Sequence, residues 1–166
     1  MQFVFLNKAE KEFWLPQLFA LLYENMQPIA PSDMPCQLAK DAWMAEVGPA
    51  LEKAPRQVIL CLEAGKLAGY LQYYARGSML MVEELQLAKA HRQTTAFLGL
   101  CRFLLRALPA DLETVEAYAD RRNLPSIRLM TRLGMTADSE DAPAHLVHLR
   151  GDAAPIRARF AWHVAF

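Results

Sequence analysis

Three cysteines are too few, and too widely spaced, for the chemistry of cysteine-rich chains. Cys36, Cys61 and Cys101 form an odd set with no C-x-x-C spacing. Neither a disulfide framework nor a cysteine-built metal site can be drawn from them. Cys61 lies in an apolar strand-like run and Cys101 in an apolar helix-like run, which reads as buried free thiols in a reducing compartment. Excess charge is missing as well. Lys plus Arg and Asp plus Glu stand at 18 each, which argues against nucleic acid or another polyanion as the partner. No long hydrophobic run is present. Residues 13–23 are interrupted by Pro16 and Gln17 and fall short of the roughly 20 residues a membrane helix needs. Residues 2–6 are too short for the core of a secretion signal and lack a basic leader. The expectation is therefore a cytoplasmic protein without membrane attachment. Internal repeats, low-complexity tracts and linkers are also absent. What remains is a chain of 166 residues with 54% hydrophobic and 22% charged side chains. That suits a single soluble domain over residues 1–166 with a full core.

The element pattern is mixed. Residues 3–6 read as a short strand, and Asn7 is placed to cap the helix after it. Phe13, Trp14, Leu18, Leu21 and Leu22 fall on one helical face over residues 10–26. Pro28 and Pro31 end that helix. Ser32 is the expected cap of a second helix reaching residue 53, with Leu38, Ala42, Trp43, Val47 and Leu51 as its stripe and Gly48-Pro49 as a kink or break. Residues 57–63 and 67–74, joined by Ala64-Gly65-Lys66, form a hairpin signature. Gly77-Ser78 turns into a third strand over residues 79–87. Next come a helix over residues 94–108, a strand over 113–119 and a helix over 125–133, with Gly134 positioned to end the last. Residues 139–143 read as a polar loop, and residues 146–149 and 159–164 as two final strands. The strand–helix–strand unit from 79 to 119 predicts a right-handed crossover and two parallel neighbours.

Two runs stand out. The first is Glu84-Leu85-Gln86-Leu87 with Arg92 five residues beyond it. The second is Asn123 with Ser126-Ile127-Arg128-Leu129-Met130-Thr131-Arg132-Leu133-Gly134-Met135 after it. Together, in this order, they resemble the acyl-CoA-binding half of the GNAT N-acetyltransferase superfamily, over residues 58–135. The resemblance implies an α/β fold of mixed α+β character. Its central sheet would be mostly antiparallel, with helices on both faces and one splayed parallel strand pair opening between Leu85 and Val115.

It also implies acetyl-CoA as cosubstrate, with no metal, and a small-molecule or peptide amine as acceptor; family acceptors range from polyamines and antibiotics to protein N-termini. The main chain of Leu85, Gln86 and Leu87 would pair with the pantetheine arm. The turn Gln93, Thr94, Thr95, Ala96 and Phe97 would offer helix-terminal amides to the diphosphate. Arg92 would add charge, and Asn123 and Ser126 would meet the arm from the far side. A general base must take the amine proton; Glu84 is the first candidate and Glu83 the second. Neighbouring strand residues face opposite ways, so only one of them should reach the cleft.

Three positions depart from the family pattern. Thr95 and Phe97 stand where small residues usually let the backbone approach the phosphates. The Phe97 ring either covers that hollow or turns into the core. Met130 stands at the usual tyrosine, and a thioether cannot protonate a leaving thiolate. These departures motivate an alternative, a GNAT-like module that binds a metabolite or protein partner without turnover.

The remaining candidates have simpler readings. His145 and His148 are three apart on an expected strand, face opposite sides and do not form a chelating pair. Arg121, Arg122, Arg128 and Arg132 suit a solvated face, or attraction to a phosphate. Tyr70 and Tyr74 should share a face opposite Tyr73. Trp14, Trp43 and Trp162 read as packing residues, with Trp43 nearest the acceptor side. Phe160, Trp162 and Val164 would make an adhesive edge in the last strand, through which two copies would pair as a homodimer.

Overall fold

The structure is a computed structural model describing residues 1–53, 55–138 and 142–161. Its frame begins with β2 (Gln57–Glu63), β3 (Lys66–Arg76) and β4 (Met79–Leu87), three antiparallel strands joined by tight turns. Ala64 and Gly65 both take positive φ, at 49° and 76°, as a two-residue hairpin turn of right-handed twist requires. The middles of β2 and β3 are buried on both faces, and their side chains alternate between the two. Val58, Leu60 and Tyr70 face one way, while Ile59, Cys61, Leu71 and Tyr73 face the other. Each face therefore needs its own cover.

The first face is covered by α1 (Lys11–Met26) and α2 (Cys36–Glu52). Asn7 caps a short 3₁₀ turn ahead of α1 by accepting the Ala9 amide at 3.1 Å. Ser32 does not cap α2. Its hydroxyl accepts the Met34 amide at 3.2 Å in the preceding turn, and the helix starts only after Pro35, because the residue before a proline is pushed out of helical geometry. Leu38 and Ala42 do not join the packed stripe, which is Trp43, Val47 and Leu51. Leu38 is exposed, and α2 runs unbroken through Gly48-Pro49.

The second face is covered by α3 (Ala96–Ala107) and α5 (Ala153–Ala161), with α4 (Leu124–Arg132) beside them. The remaining strands are β1 (Gln2–Phe5), β5 (Thr114–Asp120), β6 (Thr136–Asp138) and β7 (Leu146–Asp152). Among the described residues the seven strands form one sheet in the order β1-β2-β3-β4-β5-β7-β6. Within it the β4–β5 pair alone is parallel. This is the expected mixed, mostly antiparallel sheet between two helical layers.

The C-terminal segment corrects the strand expected there. Residues 153–161 are helical, and the strand over 159–164 does not form within them. Ala153, Ile156 and Phe160 are buried at spacings of three and four, a helical period hidden by the alternation of Phe160, Trp162 and Val164. Trp162 and Val164 lie outside the described residues, as does most of the expected loop at 139–143. The three-residue β6 carries no strand signal because its residues are all exposed and show no apolar alternation.

Candidate functional site

β4 and β5 are paired only from Met79 opposite Thr114 to Val82 opposite Ala117. Beyond that fork both strands continue, β4 to Leu87 and β5 to Asp120, without pairing to each other. The split therefore opens above Ala117. Val115 lies in the closed part opposite Leu80, so Leu85 looks across towards the Tyr118–Asp120 end of β5, not towards Val115. Each outer flank stays anchored, β4 by β3 and β5 by β7. Ala88 donates its amide to Ala68 at 2.9 Å. By the two-residue period, Gln86 pairs towards β3 while Leu85 and Leu87 turn their main-chain groups to the open side.

A bulge sits at the fork. Gln72 opposes Glu84 and Tyr73 opposes Val82, leaving Glu83 as the extra residue of β4. The expectation that Glu83 and Glu84 face opposite ways is thereby corrected. The inserted residue interrupts the alternation and brings both carboxylates to the α1/α2 side, where Glu83 meets Gln72 and Glu84 meets Tyr70.

Their surroundings differ. Glu84 accepts the Tyr70 hydroxyl on Oε2 and the Trp43 indole N–H on Oε1 at 3.2 Å. Burial raises its pKa above the ordinary carboxylate value, while the Tyr70 and Trp43 bonds pull the other way. The Tyr70 phenol is driven well above its usual value by burial and then by the Glu84 charge. Glu83 instead forms an ion pair with the Arg56 guanidinium and accepts Gln72 Nε2 at 3.0 Å. Arg56 also lies over the Tyr74 ring, 5.7 Å from its centroid.

After β4 the chain makes a 3₁₀ turn over Lys89–His91 and enters α3. Thr94 supports the turn, donating its hydroxyl to the His91 carbonyl at 2.8 Å and accepting the Ala96 amide at 3.2 Å. The amides of Gln93, Thr95, Phe97 and Leu98 have no main-chain partner among the described residues. The Phe97 ring turns into the second helical layer, 6.0 Å from the Phe160 ring. Arg92 folds back: Nη2 donates to Asn25 Oδ1 and Nε donates to the Leu87 carbonyl at 3.4 Å. Asn25, buried on α1, also donates to Leu87 O at 3.1 Å and Gln86 Oε1 at 2.9 Å. The Leu87 carbonyl is thus occupied, while the Leu85 amide and carbonyl remain open to the split.

Across the split, Asn123 caps α4 by accepting the Ser126 amide at 3.2 Å. Asp120 accepts from Arg122 through both oxygens, at 2.9 and 2.8 Å, and this pairing lowers its pKa to about 2. A cavity of about 280 Å³ joins the two flanks, with Glu83, Glu84, Asp120, Asn123, Ser126 and Met130 among its walls. Asn25 and Asp120 are absent from the candidates that the sequence suggests, and Tyr70 stands there only as one of two tyrosines expected to share a face of β3. The available signal for Asn25 was an asparagine in step, at three- and four-residue spacing, with Leu18 and Leu21 on the buried face of α1. Chemically, the arrangement combines one half-buried carboxylate of raised pKa, one ion-paired carboxylate, a stretch of strand beyond the β4–β5 pairing and a cluster of amides without main-chain partners among the described residues.

No protein-family model matches the chain, and no curated relative matches it by sequence. Solved structures do match by shape. The PaiA N-acetyltransferase of Thermoplasma acidophilum, solved with coenzyme A, superposes with a TM-score of 0.70 at 10% identity, over 92% of this chain and 99% of that one. An acetyltransferase of Streptococcus agalactiae gives 0.71 at 15% identity, over 91% and 97%. A ribosomal-protein-alanine N-acetyltransferase of Brucella melitensis gives 0.61 at 13% identity, over 92% and 99%. Likeness at such low identity establishes a shared architecture.

Proposed function

We propose that this chain, which has the fold of the GNAT N-acetyltransferases, moves an acetyl group from acetyl-CoA to a primary amine. The observation that carries the reading is the fork at Val82 and Ala117, with a half-buried carboxylate of raised pKa beside it. A solved neighbour of the same architecture contains coenzyme A. An edge with open main-chain groups at Leu85 suits an amide-bearing arm, which pairs there as an added strand. The free amides at Gln93, Thr95, Phe97 and Leu98 suit a diphosphate, since helix N-termini concentrate positive potential. Phe97 points its ring into the core layer, so its backbone stays available. Asn123 uses Oδ1 for the cap and keeps its Nδ2 for the arm. Arg92 serves by holding α1, β4 and the turn together through Asn25 and Leu87.

The reaction balances simply. The amine nitrogen bonds to the thioester carbonyl carbon, the carbon–sulfur bond breaks, and the amine proton ends on the departing thiolate. Glu84 accepts that proton from the attacking amine. A base of raised pKa is better matched to neutral pH than an ordinary surface carboxylate. Tyr70 and Trp43 hold it in place. Glu83, tied to Arg56, shapes the wall of the site. Met130 supplies no proton, so the proton that Glu84 takes from the amine passes to the departing thiolate through water, and Glu84 is returned to its carboxylate form.

The test is calorimetric titration with CoA and acetyl-CoA, then thiol release over a panel of polyamines, aminoglycosides and peptide N-termini. Micromolar binding and turnover of one amine class are expected. Absence of binding up to millimolar ligand overturns the assignment. Binding without turnover on any amine would favour the non-catalytic module that Met130 suggests.

A further inference from the structure

The cavity at the fork continues where an acetyl group has no use for it. Its walls include Leu80 and Val115, below the last β4–β5 pair, and Leu104, Leu105, Ile156 and Phe160 from α3 and α5 on the same side of the sheet. Leu80 and Val115 lie two residues beneath Val82 and Ala117, a descent of ~7 Å at the usual strand rise. These six walls are apolar. The polar walls lie at the fork and above it: Glu83, Glu84 and Gln86 on β4, Tyr118 and Asp120 on β5, and Asn123 and Ser126 at the start of α4. The lobe is therefore a hydrocarbon site continuous with the place where a thioester carbonyl would sit.

We propose that this lobe receives the tail of a linear acyl group longer than acetyl, so that the preferred donor is a medium-chain acyl-CoA. The inference rests on the acyl-transfer reading and specifies its donor. The pantetheine arm would lie along Leu85, above the fork, leaving the space beneath for the tail. The carboxylates occupy the opposite face, so the amine approaches the carbonyl from the α1/α2 side while the tail points away from it. The bonds made and broken are those of acetyl transfer. A flexible chain suits walls contributed by two strands and two helices, and each methylene buried there strengthens binding by about fourfold.

The experiment is calorimetric titration of the whole chain with CoA, acetyl-CoA, butyryl-CoA and hexanoyl-CoA, repeated on Leu104→Phe. Leu105→Phe, at a half-buried position, is the second variant should the first fail to fold, with thermal melting as the check. The proposal expects affinity to rise with chain length, hexanoyl-CoA binding about tenfold or more tighter than acetyl-CoA. It expects the ring-bearing variant to abolish that rise while leaving CoA affinity unchanged. Equal or falling affinity with chain length, with CoA still bound, overturns the lobe alone. A variant that weakens all four ligands equally also overturns it. Failure of CoA itself to bind overturns both readings.

Discussion

The two faces of the sheet at the fork are built from opposite materials. On the α1/α2 face, two neighbouring hydrogen-bonded clusters, Glu84 with Tyr70 and Trp43 and Glu83 with Gln72 and Arg56, are set into an apolar layer. On the α3/α5 face, the cavity walls are apolar, mainly Leu, Val, Ile and Phe, while the Arg102 and Arg157 guanidiniums of that layer donate to the Phe160 and Leu105 carbonyls and do not line the cavity. One inserted residue, Glu83, creates the contrast. Without the bulge, alternation would send one of the two carboxylates into the apolar layer, where an unpaired charge is very costly. The difference separates two jobs: proton handling on one side, storage of an apolar group on the other.

The contrast breaks most sharply at Glu84. Replacing it with Gln keeps both hydrogen bonds geometrically feasible, because the amide oxygen can accept Trp43 and the amide nitrogen can donate to Tyr70. The base is lost, however. Turnover of the amine found in the acceptor panel should fall by about 10² to 10⁴-fold, with CoA affinity unchanged by calorimetry. An E84Q protein with full activity would remove the general base from the mechanism.

On the opposite face the largest effect should be on stability. Leu100 is fully buried in the α3 layer. Leu100→Ala should cost about 2–5 kcal/mol in denaturant unfolding through lost contacts and the cavity left behind. Residual activity of the folded fraction should persist. If L100A instead erased turnover at unchanged stability, the division of labour between the faces would be wrong.

Asn25 links the faces. It satisfies the Leu87 carbonyl and positions Arg92 at the start of the turn into α3. Asn25→Ala leaves a buried carbonyl and a guanidinium short of partners, so about 1–3 kcal/mol of stability should be lost. CoA should bind more weakly as the turn loosens. A CoA affinity identical to wild type would show that the turn holds its shape without α1.

Legibility in the sequence divides along the same line. Helix and strand periods carry the element order through Gly134, whose positive φ of 97° ends α4 as expected. The parallel β4–β5 pair comes from a crossover rule. The bulge is invisible because Glu83-Glu84 looks like any charged pair on a strand, and only the register with β3 reveals the extra residue. Asn25 escapes notice because its partner Leu87 lies 62 residues away, and Asp120 because its role depends on a local turn geometry. The C-terminal helix reads wrongly because three alternating apolar residues, two of them outside the described region, outweigh the buried spacing of Ala153, Ile156 and Phe160.

The smallest expected effects distinguish the two unusual carboxylates by sign. Asp120 has its pKa lowered from 3.8 to about 2 by Arg122. Its native form binds a proton less readily than the unfolded chain, so its contribution to stability is present above about pH 4 and is lost as pH falls towards 2. Glu84 has its pKa raised by burial. Its contribution is present below the ordinary carboxylate value and is lost as pH rises through its native value. Asp120→Asn should therefore flatten the acid limb of a stability profile between pH 4 and 2, and E84Q should flatten the loss above it. The exposed side of the Asp120–Arg122 pair keeps the first effect small, because solvent screens it. If E84Q steepened the decline towards neutral pH, the carboxylate would be stabilised by its hydrogen bonds more than burial penalises it. Glu84 would then be a structural anion held by Tyr70 and Trp43, too weak a base for the amine.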